Sequence, residues 1–95
     1  MKVLDELTLE QKDALKFVLE EVSPNDKNVR ITVKEIRQID KLCALLEADG
    51  QKVEIEDADF QFLKSKFSNY TGWNPTKENR ALIMSCQDKL DWADA

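Results

Sequence analysis

Histidine is missing from this chain of 95 residues. Its absence removes the commonest general base, the usual partner of a nucleophilic serine or cysteine, and the commonest zinc ligand, so most enzyme templates fail at the first step. Cysteine is nearly missing. Cys43 and Cys86 stand far apart among apolar neighbours, form neither a Cys-x-x-Cys pair nor a secreted disulfide framework, and read as buried reduced thiols. Glycine and proline number two each, too few for a linker or a disordered, turn-rich chain. No apolar run approaches the roughly 20 residues that span a bilayer, and the opening "MKVLDELTLEQ" has acids where a signal peptide needs its apolar segment. A cytoplasmic protein with no membrane contact is the expectation. Positive charge is also in deficit: 14 Lys and Arg against 19 Asp and Glu give a net charge of −5. That balance disfavours nucleic acid, whose affinity for proteins comes largely from cations that displace condensed counterions.

What is present is amphipathic. Hydrophobic residues make up 42% and charged residues 35%, enough for one folded domain over residues 1–95 that buries about two-thirds of its unfolded surface without metal or disulfide staples. In "LTLEQKDALKFVLEEVSPN", Thr8 and Gln11 have the spacing at which a hydroxyl and a carboxamide satisfy the free amides of a helix start. The spacing predicts a helix from Leu9 to Val22, with Gln11, Leu15, Val18, Leu19 and Val22 inward and Ser23-Pro24 ending it. The same box recurs at Thr32 and Glu35, opening a second helix closed by a left-handed Gly50. Its predicted inward seam is Ile36, Ile39, Cys43 and Leu46, widened by Leu42 and Leu45. "KVEIE", Lys52 to Glu56, alternates as one edge strand or an extended connector. A third helix follows a cap at Asp57 or Asp59 and buries Phe60, Leu63, Phe67 and Tyr70 up to a closing Gly72. A fourth starts with Asn74 as cap and Pro75 as first residue, runs to about Leu90, and buries Leu82, Ile83, Cys86 and Leu90.

Four groups of side chains are candidates for chemistry or binding. Lys34, Arg37 and Lys41 form one stripe of a basic series that also holds Lys27 and Arg30, and could meet phosphates; ordinary amphipathicity places them in solvent just as well. "LEADGQKVEIE" imitates the end of a calcium loop, but Leu45 stands at the first ligand position and Lys52 where an apolar residue belongs. Glu54, Glu56, Asp57 and Asp59 could divide acid and base roles, yet the two aspartates serve better as first-turn charges of a helix. Phe17 leaves the main apolar stripe of its helix and shares its side with Glu10, Asp13, Glu20 and Glu21; Phe62 leaves its own stripe in the same way. Off-face aromatics with charged surroundings fit a protein interface, and equally a small bundle that buries more than one face of each helix. Trp73 falls between Gly72 and Asn74, where the chain turns, and is expected to fold back as an anchor on Tyr70 and the core rather than stand out as a hot spot.

"LTLEQKDALKFVL", a proline-containing break, "VRITVKEIRQIDKL" and a later "WNP" resemble small helical proteins encoded in bacteriophages and prophages. The resemblance covers about half the chain and implies a small accessory protein of the host cytoplasm; it transfers no catalytic residue. The expectation is therefore an all-α, compact four-helix domain with one short extended segment after the second helix. Its expected function is non-enzymatic: a protein-interaction module whose partner is another protein, including a second copy of itself, with no cofactor, metal or small-molecule substrate. A nucleic-acid-associated regulator using Lys34, Arg37 and Lys41 is the alternative.

Overall fold

Thr8 and Gln11 make the reciprocal cap that their spacing predicts. The Gln11 amide donates to Thr8 Oγ1 at 3.1 Å, and the Thr8 amide donates to Gln11 Oε1 at 2.9 Å. From this start the computed structural model, which describes residues 1–20, 32–48, 50 and 52–95, builds an all-α four-helix domain with a small two-stranded sheet. The elements are β1 (Lys2–Leu4), α1 (Leu9–Glu20), α2 (Val33–Glu47), β2 (Val53–Ile55), α3 (Asp57–Asn69) and α4 (Lys77–Asp94). The expected end of the first helix at Val22 and its Ser23-Pro24 stop lie outside the described residues, as do Glu21, Lys27, Arg30 and Asp49.

Helix α1 is the central element and packs against α2, α3 and α4. It therefore buries a broad arc, with Ala14, Leu15, Val18 and Leu19 in the core and Gln11 and Lys12 buried beside them. Both polar residues are satisfied. Gln11 Nε2 donates to Ser85 Oγ at 3.1 Å, and that hydroxyl donates onward to the Leu82 carbonyl at 2.7 Å, so a helix cap also ties α1 to α4. Lys12 Nζ donates to the carbonyls of Ala48, at 3.1 Å, and of Gly50. An ammonium thus sits where the chain leaves the C-terminal end of α2, the end at which backbone carbonyls lack partners and the helix dipole is negative. Gly50 has φ 111°, as expected of a residue in a region L side chains rarely adopt.

The strand reading of "KVEIE" holds for Val53–Ile55, whose partner is the chain's own beginning. β1 and β2 pair antiparallel with Lys2 opposite Ile55 and Leu4 opposite Val53. Leu4, Val53 and Ile55 point into the core with Phe60, Leu63, Phe67, Leu42, Leu46, Cys86 and Leu90.

Several boundaries and faces differ from the sequence reading. Helix α3 is entered at Glu56, with no side-chain cap; neither Asp57 nor Asp59 caps it, because the Asp59 carboxylate turns to α2 instead. Helix α4 is capped by Thr76, not Asn74: Thr76 Oγ1 accepts from the Asn79 amide at 3.2 Å, and Asn79 Nδ2 returns to the Asn74 carbonyl at 2.9 Å. It also runs past Leu90 to Asp94, where that carboxylate accepts from Lys64 and Gln61 of α3, each at 2.8 Å. On α2 the deep contacts are Leu42 and Leu46, while Ile36, expected inward, is 53% exposed. Gly72 does not close α3 with a left-handed turn. The helix ends at Asn69, and a side chain at Gly72 would collide with the Tyr70 ring, its Cβ only 2.6 Å from Cζ.

Candidate functional site

Phe17 lies three-quarters of the way along α1, at the edge of the arc that α1 buries, and keeps 42% of its surface exposed. It is nevertheless held in place. Its ring meets Tyr70 edge-on at 5.6 Å and Trp73 at a tilt at 5.7 Å. Trp73 in turn contacts Tyr70 at 4.9 Å and Phe67, at the core, at 5.6 Å. Edge-on and tilted pairs are the favoured geometries for aromatic rings, whose positive edges meet negative faces. Trp73 is partly buried and packs against the core, as the anchor reading expects.

Between this aromatic cluster and α4 runs an open groove of about 440 Å³. Its α1 side carries Phe17 and Ala14 with Glu10 and Asp13. Gly72, Trp73 and Asn74 close one end, and α4 supplies Asn79, Leu82 and Ile83. One turn of helix separates Asp13 from Phe17, so the same face of α1 presents both the apolar wall and the acids. Of the interface candidates, Phe17, Glu10 and Asp13 are thus brought together. Glu20 is not among the groove's lining residues: it accepts a hydrogen bond from Cys43 Sγ at 3.7 Å, toward α2. Phe62 does not line the groove either; it is partly buried against the core, with Lys66 Nζ over its ring at 5.7 Å. Glu21 lies outside the described residues.

The basic stripe has a different setting. Lys34, Arg37 and Lys41 line a second cleft of about 330 Å³ together with Gln38, Glu56 and Asp59. Lys41 is spoken for, at 3.0 Å from Asp59 and 3.2 Å from Glu56. Those hydrogen bonds hold its ammonium above the ordinary lysine range. Gln38 Nε2 donates a second contact to Asp59 at 3.2 Å. Three of the four carboxylates weighed for acid–base work are therefore committed: Glu56 and Asp59 to Lys41, and Asp57 to the Met1 ammonium at 2.9 Å, which pulls its carboxyl below the usual aspartate value; Glu54 only approaches Lys52, at 3.9 Å.

Cys86 is fully buried, and burial pushes its thiol up to about 11. Cys43 is half-buried, and its thiol is likewise raised, first by burial and then by the Glu20 carboxylate. Neither is a ready nucleophile at neutral pH.

Comparison with protein-family models, curated proteins and solved structures finds no match.

Sequence reasoning missed three contributors to the surface. Leu82 and Ile83, expected inward from helical periodicity, do pack against the core but are only partly buried, and their remaining surface lines the groove. Trp92, beyond the expected end of the fourth helix, is 84% exposed beside a shallow cavity with Gln11, Ser85, Asp88 and Lys89. The only signal for Trp92 was its place in "DWADA", two residues after the last buried position, Leu90.

Proposed function

We propose that the chain is a non-enzymatic protein-interaction module that seats a partner in the groove between α1 and α4. The observation that carries this reading is Phe17, a ring 42% exposed yet fixed by contacts to Tyr70 and Trp73. An exposed aromatic that is already ordered binds without the entropy cost of immobilising it, and aromatics surrounded by a polar rim are the usual anchors of interfaces. Glu10 and Asp13 supply the rim. The absence of histidine from the sequence and the commitment of Glu56, Asp57 and Asp59 to cations support a function without catalysis. The likeness to small phage and prophage proteins suggests an accessory role in a host cytoplasm, and adds no residue to the site.

Nucleic-acid contact through α2 is the weaker reading, since Lys41 is paired and two cations remain on the stripe. It would show a loss of DNA affinity with salt whose slope corresponds to about two phosphates at most.

The test of the groove is a photo-crosslinking amino acid in place of Asn74, at its rim, with Lys52 as the control position. Protein adducts formed from position 74, weak from position 52 and reduced by Phe17→Ala, are the expected result. Equal labelling from both positions sets the groove aside.

A further inference from the structure

Granting the groove as a protein-docking site, we propose that its occupant is a second copy of this chain, docked through the outer face of α2. Two surfaces of the same molecule are complementary. The groove is apolar in Phe17, Trp73, Leu82 and Ile83 and carries two acids, Glu10 and Asp13. On α2, Val33 is 65% and Ile36 53% exposed. At about 100° per residue these two, Arg37 and Asp40 share an arc opposite the buried Leu42 and Leu46, with Asp40 one turn beyond Ile36 on the same line and Lys34 at the border. The first two turns of α2 thus present an exposed aliphatic pair with two cations along one side, and Asp40 follows one turn on. The four charges concerned are also available: among the described residues none of Glu10, Asp13, Lys34 and Arg37 is in a salt bridge, whereas Lys41, one turn further on, is.

A two-fold axis makes such a contact twice, because the groove of one copy takes α2 of the other while its own α2 enters the partner's groove. Each contact buries Val33 and Ile36 against the aromatic wall and sets Lys34 and Arg37 against Glu10 and Asp13. The opposed charges fix the register and quicken the encounter, and the apolar pair supplies most of the holding strength.

The experiment is sedimentation of three proteins across concentration: wild type, a groove variant with Glu10→Lys and Asp13→Lys, and a helix variant with Lys34→Glu and Arg37→Glu. Wild type is expected to dimerise, less tightly as salt is raised. Each variant alone sets like charges against each other in both contacts and should dissociate about tenfold more readily or worse. An equimolar mixture should regain association to within about threefold of wild type, since both contacts in the mixed pair are again between opposite charges. All four positions are exposed, so helix content should be unchanged. Ile36→Ser carries the test should a reversed pair unfold, and it should abolish the dimer while melting like wild type under dilute conditions. A wild type that stays monomeric up to about 1 mM overturns the second copy as occupant, and crosslinks from position 74 to other proteins would then leave the groove itself standing. Variants that lose association and fail to regain it on mixing overturn the pairing of groove with α2.

Discussion

Trp73 sits 4.9 Å from Tyr70 and 5.6 Å from Phe67, with the half-exposed Phe17 at 5.7 Å. The indole therefore joins the core to the groove, and its loss should be felt first as lost stability. Trp73→Ala is expected to cost about 3 kcal/mol, at the low end for a buried aromatic because part of the ring meets solvent. For a domain of this size that lowers the melting temperature by more than ~10 °C. Phe17→Ala should cost about 1 kcal/mol, since much of its ring is already in water. Thermal melts followed by circular dichroism separate the two, and equal losses would mean Phe17 is a core residue. Cys86 offers a check by pH. Its folded value near 11 lies above the ordinary 9.0, so the folded state favours the neutral thiol. The stabilisation that this gives is complete below about pH 9 and is lost as pH climbs toward 11, where the unfolded chain ionises first. Urea midpoints measured from pH 8 to 10.5 should fall more steeply for wild type than for Cys86→Ala. Parallel curves would contradict the burial of this thiol.

At the scale of elements, the ends of the helices decide how they meet. Lys12 carries an ammonium from the buried arc of α1 to the Ala48 and Gly50 carbonyls just beyond α2. Lys12→Met keeps the apolar stem packed and removes only these bonds. It should cost roughly 1.5–3 kcal/mol, the usual range for hydrogen bonds to a charged group. Hydrogen exchange should quicken in the last turn of α2 more than in α3, and uniform quickening would point to general loosening instead. Lys12 was invisible in the sequence, since a lysine between Gln11 and Asp13 reads as solvent-facing until three helices are seen around α1. What was legible is what short-range chemistry governs. The caps at Thr8 and Thr32, the four helices, the Phe60-Leu63-Phe67 face and the grouping of Phe17 with Glu10 and Asp13 all follow from spacings of three and four. The start of α4 is ambiguous in the sequence because Asn74-Pro75 and Thr76 both carry start signals, and only the bond from the Asn79 amide to Thr76 decides between them. The α4 side of the groove was hidden because Leu82 and Ile83 lie on the border of an apolar stripe, where periodicity does not distinguish a core from a shelf.

The molecule as a whole is fastened where distant stretches of chain converge. Lys64 of α3 reaches Asp94 at 2.8 Å and Asp91 at 3.4 Å on α4, and Lys2 of β1 approaches Asp94 at 3.7 Å. The Asp94 carboxyl is lowered below its ordinary value chiefly by Lys64. These partly exposed charges locate the last turn of α4 more than they stabilise it. The sheet does something else. β1 and β2 join residues some fifty positions apart, with Leu4 and Ile55 both fully buried at the seam. Closing a loop of that length costs entropy before any contact is gained, whereas the turns of α1 and α4 form from neighbours. The sheet is therefore expected to zip last, after the barrier to folding has been crossed. Ile55→Val should hasten unfolding and leave the refolding rate almost untouched, which stopped-flow measurements in denaturant would resolve; a slowed refolding limb would place the sheet in the nucleus instead. By the same reasoning, the contacts that build the helices are local and do not wait for β1, so the sheet acts as a latch closed over a helical body already formed.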